Sequence, residues 1–178
     1  MDLESHWFAM ETRGREKVMT RRSILTVTTA ALSCFGIALA TLGTVAQQSS
    51  EMDNVKAASA ALYASLSTLD IGTLEKAWTH EPYVRYVGPT SKDIAVGWEE
   101  VRKTLETSNS ALSARNVSLS QAQIRTNGTL AWEVGIEIAQ RTLKNGEIRK
   151  TQHFVTNIYE NKNGQWLVVS HHAHPRSQ

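Results

Sequence analysis

The stretch His153-Phe-Val-Thr-Asn-Ile-Tyr-Glu-Asn-Lys-Asn-Gly-Gln-Trp-Leu-Val-Val-Ser-His-His-Ala-His174 decides the fold. Two β-rich runs flank a polar turn centred on Asn163-Gly164, residues that readily adopt the left-handed backbone a tight hairpin needs. The same dipeptide recurs at Asn127-Gly128 and Asn145-Gly146. The C-terminal half is thereby divided into Val117–Arg125, Thr129–Thr142, Glu147–Glu160 and Gln165–His174, long strands in an antiparallel meander.

Upstream the period changes. From Asp53, the residues Ala58, Ala61, Leu62, Ser65, Leu66 and Leu69 recur at helical spacing, with Asp53 placed as N-cap. Asp70-Ile71-Gly72-Thr73 interrupts the pattern, and Thr73 can cap a second helix through Leu74, Ala77 and Trp78 that stops before Pro82. Tyr83–Val87 is a short β-prone run closed by Gly88-Pro89, and a third helix runs from Trp98 through Val101 and Leu105. Helices first and a sheet afterwards make an α+β domain over residues 53–178, joined to the residues before it by a polar linker at 47–52.

Residues 1–46 read as a leader. Ser23–Ala46 has no charged residue and follows Arg21-Arg22, and Thr44-Val45-Ala46 offers small residues for cleavage. Thr20-Arg21-Arg22-Ser23-Ile24-Leu25 resembles the bacterial twin-arginine export motif. Cleavage puts the mature protein in the periplasm or outside the cell. The alternative is a membrane anchor, since the uncharged run is long enough to span a bilayer. Met1–Val18 carries Asp2, Glu4, Glu11 and Glu16, unlike an export n-region, which leaves Met19 as a second candidate start. Cys34, the single cysteine, lies inside the apolar run, so a chain cleaved after Ala46 has no thiol for a disulfide, a nucleophile or a metal thiolate.

The remaining composition is that of an ordinary globular domain. With 19 basic and 17 acidic residues and no block of like charge, nothing marks a nucleic-acid face. No glycine loop for a phosphate, Ser–His–Asp order or paired-carboxylate motif is present, and no cofactor is expected.

Alternation assigns strand faces. Trp132, Val134, Ile136 and Ile138 point one way, expected to be toward the helices, and Ala131, Glu133, Gly135 and Glu137 the other. On the last strand Leu167, Val169, His171 and Ala173 share a face, and Trp166, Val168, Ser170, His172 and His174 share the opposite one. His171 and His172 therefore cannot enter one pocket unless a bulge intervenes.

Several short pieces, in this order, resemble the nuclear transport factor 2-like superfamily in its SnoaL-like branch, related to ketosteroid isomerase. They are Leu62-Tyr63-Ala64-Ser65-Leu66 followed by Asp70, Trp78-Thr79-His80, Tyr86-Val87-Gly88-Pro89, Gly97-Trp98-Glu99-Glu100-Val101, Ala131-Trp132, Thr156-Asn157-Ile158-Tyr159 and Trp166–Ala173. The resemblance implies a cone in which three N-terminal helices close over a strongly curved antiparallel sheet. It also implies a pocket between them and homodimers through the sheet. In the related association domain of calcium/calmodulin-dependent kinase II, pocket side chains sit at positions matching Asn157 and Ala173, which favours His171 over His172 as the pocket histidine. Two departures stand out. The carboxylate base of ketosteroid isomerase falls at Gly88 and its oxyanion-binding tyrosine at Leu62, so chemistry of that type is not expected.

The candidate site is an apolar wall of Trp132, Val134 and Ile136 with Asn157 and His171 at its polar end. Trp166 is expected to pack on the other sheet face. Such a pocket suits a small, largely apolar ligand with one oxygen function, in an exported binding protein. The alternative is an isomerase, cyclase or dehydratase-like enzyme with His171 as acid–base. His172 and His174 have plausible ligand spacing on one face, with His153 nearby, but no carboxylate is close in sequence and no metal is expected. An outer face carrying Trp166 and Val168 calls for a second copy as cover.

The leader carries its own test. Replacing Arg21 and Arg22 with lysine should block export, so that cell fractionation finds the precursor retained where the wild type yields a mature chain beginning near Gln47. Full-length wild-type protein confined to the cytoplasm would contradict the reading.

Overall fold

The computed structural model describes Gln47 and residues 49–176; the leader lies outside the described residues. Helix α1 covers residues 49–68 and buries Val55, Ser59, Leu62, Tyr63 and Leu66, a stripe at spacings of three and four. It starts ahead of Asp53, so the expected linker is helical where described. Asp53 sits inside the helix, bonded to Lys56 at 2.9 Å, and is not its cap. Leu69, with φ of 59°, ends the helix.

Asp70 caps α2 (Ile71–Leu74), accepting from the Gly72 and Thr73 amides at 3.3 and 2.8 Å. Thr73, expected as the cap, instead lies inside that turn. A 3-10 turn, Glu75–Ala77, follows. Then come β1 (Arg85–Val87), β2 (Ala95–Val96) and α3 (Trp98–Ser110). The meander is β3 (Leu112–Thr126), β4 (Leu130–Leu143), β5 (Ile148–Lys162) and β6 (Gln165–Pro175). Gly128, Gly146 and Gly164 all have φ near 90°, as the three turns between these strands demand.

The strands form one sheet in the order β2-β1-β6-β5-β4-β3. β1 runs parallel to β6, while the other neighbouring pairs are antiparallel. The sheet is curved and unclosed, and the helices pack on its concave face. The bend has a local cause. β3 bulges between Ser120 and Gln123, and opposite stands Gly135, where a Cβ would lie 2.8 Å from Leu119 Cδ1 and 3.0 Å from the Ser120 carbonyl. Only glycine lets the backbones approach that closely. The core gathers Leu62, Leu74, Val101 and Leu105 of the helices against Val117, Tyr159 and Val168 of the sheet.

Two face assignments need correction. On β4 the concave side carries Ala131, Glu133, Glu137 and Ala139, all buried, while Trp132, Val134 and Ile138 are exposed at 47, 39 and 41%. Ile136 is buried, but on the outer side opposite Phe154 and apart from the core. The reason is register. The Asn145-Gly146 turn sets Glu133 opposite Asn157 and Trp132 opposite Ile158, and cross-strand partners share a face. Trp132 and Asn157 cannot both face the helices.

On β6 a bulge pairs Ile158 with Ser170 and Tyr159 with Val168, leaving Val169 as the extra residue. Alternation restarts there. Trp166 and Val168 consequently turn inward, buried on the same side as His171 and Ala173. The outer-face position expected for Trp166 and Val168 is therefore wrong by one bulge.

Candidate functional site

The registers lay polar side chains across the concave face in rows. Glu133, Asn157 and His171 are direct cross-strand neighbours on β4, β5 and β6, all at most 3% exposed. One row further along, Glu137 stands opposite His153, also buried. Beyond it Arg115, Arg141 and Arg149 line up on β3, β4 and β5.

Asn157 organises the first row. Its Nδ2 donates to Glu133 Oε2 at 2.9 Å and to the Tyr63 hydroxyl of α1 at 3.0 Å. Tyr159 adds a second donor to Glu133 Oε2 at 2.7 Å. With its amide hydrogens so used, Asn157 presents Oδ1 to His171 Nδ1 at 2.8 Å, so Nδ1 must carry the proton. The neutral ring then keeps its lone pair on Nε2, which lies 4.0 Å from Glu137 Oε2. Tyr86 stacks on the imidazole with ring centres 5.3 Å apart and planes within 13°. Trp78 meets Tyr86 edge-on at 6.3 Å, and Trp98 packs on Trp78 with His80 stacked outside it. This aromatic series fixes Tyr86 and through it the face of His171.

Burial pushes the His171 pKa below the ordinary imidazole value, only partly opposed by the Glu137 charge. Burial alone would raise Glu137, but the hydrogen bond from His153 at 3.2 Å and the charges of His171, His153 and Arg141 outweigh it and hold the carboxyl below its usual range. The Tyr86 hydroxyl is pushed up to about 12, by burial first and then by Glu137, and stays protonated.

Tyr86 and the arginine row line a cavity of about 460 Å³ between the loop after β1, α3 and the concave face, with Ser91 and Lys103 also in its wall. Like charges side by side on a sheet repel. Burial and the neighbouring Arg141 lower the Arg115 pKa, although Tyr86 and Glu137 oppose them. Arg115 Nε donates to the Leu66 carbonyl, but its Nη2 is buried without a partner. Arg141 donates to Thr151 at 3.1 Å, and Arg149 pairs with Glu147 at 2.6 Å near the surface. A larger groove of about 710 Å³ beside Pro82 and Trp98 shares Glu100 and Lys103 with this cavity but includes none of the three arginines.

Asn157 and His171 thus meet inside, and His172 and His174 lie exposed on the other face. Trp132, Val134 and Ile136 do not join Asn157 and His171. Sequence reasoning missed Glu133, Glu137, Tyr63 and the arginines. The hairpin registers carried the missing signal, because a face given to Asn157 is given to Glu133 as well. Leu62, at the position of the isomerase tyrosine, is fully buried in the core. At Gly88 a Cβ would come within 2.5 Å of the Tyr86 hydroxyl, leaving no room for a carboxylate beside it.

A family model for the SnoaL-like domain matches residues 55–174. The chain belongs to this family. Among proteins with curated descriptions none is similar in sequence. The SnoaL-like domain is similar in fold to several solved structures. A protein proposed as a dehydratase of the nuclear transport factor 2-like family from Streptomyces avermitilis has TM-score 0.66 and 19% identity, covering 73% of this chain and 99% of that one. A nuclear transport factor 2-like superfamily protein from Salmonella enterica serovar Typhimurium has TM-score 0.63 and 15% identity, covering 76% and 94%. A protein proposed as a scytalone dehydratase from Novosphingobium aromaticivorans has TM-score 0.61 and 15% identity, covering 71% and 85%.

His171 and Glu137 of the SnoaL-like domain each make acid destabilising. His171 has a lowered folded pKa, so its contribution is full above about 6.5 and is lost as pH falls below that value. Glu137 is also lowered, and its contribution is lost later, as pH falls through the folded carboxyl pKa. The unfolding midpoint should therefore drop in two stages on acidification. His171→Asn should remove the upper stage and Glu137→Gln the lower; a midpoint unchanged from pH 7 to 4 would contradict the assignment.

Proposed function

We propose that this SnoaL-like protein is an exported binding protein for a small organic acid, held in the cavity above Tyr86. The observation that carries the reading is the cross-strand row of Arg115, Arg141 and Arg149 lining that cavity, with the buried Arg115 Nη2 lacking a partner. A carboxylate bound there relieves the repulsion along the row and accepts charge-assisted hydrogen bonds. The Tyr86 hydroxyl supplies a neutral donor beside the row. This replaces the apolar wall expected of Trp132, Val134 and Ile136 with a charged one, and makes the ligand's oxygen function an acid.

A second reading is catalytic, of the dehydratase or isomerase type. It is favoured by one observation, the neutral His171 whose Nε2 lone pair faces the Glu137 carboxylate across 4.0 Å. Two acceptors so placed call for a bridging donor, which a substrate hydroxyl can supply, and His171 then serves as its base.

Benzoate and its isostere benzamide separate charge from shape. Calorimetry should show benzoate binding and benzamide binding at least about tenfold more weakly. Arg115→Met should lose about 1.5–3 kcal/mol of benzoate affinity, the worth of hydrogen bonds to a charged group. Equal affinity for the two probes would overturn the reading. Turnover of a bound acid that vanishes in His171→Asn would establish the catalytic one.

We also propose that a second copy covers the convex face. The residues needing cover are Trp132, Val134, Ile138 and the 54%-exposed Phe154, in place of Trp166 and Val168. Sedimentation should find a dimer at micromolar concentration and a monomer for Trp132→Asp. A wild-type monomer would contradict the proposal.

A further inference from the structure

A second cavity, of about 340 Å³, lies between α1 and β3, and the arginine row takes no part in it. Ala64, Val117, Leu119 and Ile124 form apolar wall, while Tyr63 and Glu133 supply polar groups. It opens beside the bulge of β3, where the register with β4 shifts between Ser120 and Gln123.

Glu133 meets this cavity with an unused oxygen. Its side chain is 0% exposed, and Oε2 already accepts from Asn157 and Tyr159 at 2.9 and 2.7 Å. Oε1 is buried and has no hydrogen-bond partner. A buried carboxylate oxygen without a donor is unfavourable, so the site demands one. The Tyr63 hydroxyl accepts from Asn157 at 3.0 Å and donates to no described residue, which leaves it free to serve an acceptor. Lys56, the cation of the lining, is turned to Asp53 at 2.9 Å on the exposed side of α1.

We infer that this cavity is a second ligand site, which takes a small primary amine with a short apolar body. The ammonium donates to Glu133 Oε1, and the body lies against Val117, Leu119 and Ile124. A hydroxyl on the same molecule can accept from Tyr63, which makes amino alcohols a matching class. An anion would meet the Glu133 carboxylate and is disfavoured.

The probe is n-butylammonium, titrated into the full domain while the methyl resonances of Val117, Leu119 and Ile124 are followed, with butyrate and 1-butanol as controls. Saturable shifts are expected with the amine, weaker ones with the alcohol and none with butyrate. Glu133→Gln should weaken the amine about tenfold or more. Ala64→Phe, at an exposed position of α1, should block it by filling the cavity while leaving the buried hydrogen bonds in place. The inference is overturned if the amine gives no saturable shift, if butyrate binds equally, or if a folded Glu133→Gln binds as the wild type does. Should Glu133→Gln fail to fold, undiminished binding in Ala64→Phe overturns it instead. A crystal soaked with the amine that shows only an ordered water at Glu133 does the same. The measurement leaves the arginine row untouched, so benzoate binding can fail without affecting it.

Discussion

The Asn157 side-chain amide is the constraint on which the concave face depends. It has two hydrogens and one oxygen to place in a site with no water-facing surface, and it places all three, on Glu133, Tyr63 and His171. Each partner comes from a different element, so one amide ties α1 to β4 and β6. Its orientation also dictates chemistry at a distance. Because the oxygen faces His171, the ring proton sits on Nδ1, and the lone pair faces Glu137. Turned over, the amide would set its hydrogens against the ring and leave Glu133 and Tyr63 without their donor. A buried network of this sort is stable only when its members are satisfied together.

The members that are not satisfied are therefore informative. Apart from Arg102 Nε on α3, which stands 3.8 Å from Glu75 Oε2, the buried charged-group atoms without hydrogen-bond partners among the described residues are Glu133 Oε1 and Arg115 Nη2, and both belong to residues that line cavities. One is an acceptor and the other a donor. The concave face is thus electrically divided, with the arginine row at one end of the long strands and the carboxylates further along. The apolar core between the helices and Val117, Tyr159 and Val168 supplies the burial that makes this polar surface tolerable.

Much of the architecture was legible in the sequence. The three Asn-Gly turns delimit the hairpins, because few other residues accept their backbone. Helical spacing likewise locates α1 and α3. Asp53 misled because a good cap residue is also tolerated on an exposed helical face, and Thr73 because Asp70, three residues before it, caps that turn instead. The faces of β4 misled for a deeper reason. Alternation gives two sets but not which set is inside, and the apolar set was assumed to be. Here Trp132, Val134 and Ile138 face outward and two glutamates face inward, a reversal that only cross-strand pairing with Asn157 could reveal. The site was legible only where it did not depend on that choice, at Asn157 and His171. The bulge at Val169 was invisible, since one extra residue leaves no mark in composition yet turns Trp166 and Val168 to the core.

The tautomer of His171 reports on the whole arrangement, and nitrogen-15 NMR of the imidazole reads it directly. At neutral pH the account predicts a neutral ring with the proton on Nδ1 and an unprotonated Nε2, held in that form by the Asn157 oxygen. An imidazolium at pH 7 would contradict the neutral ring, and a neutral ring protonated on Nε2 would show that Asn157 faces the other way and would contradict the network built on it.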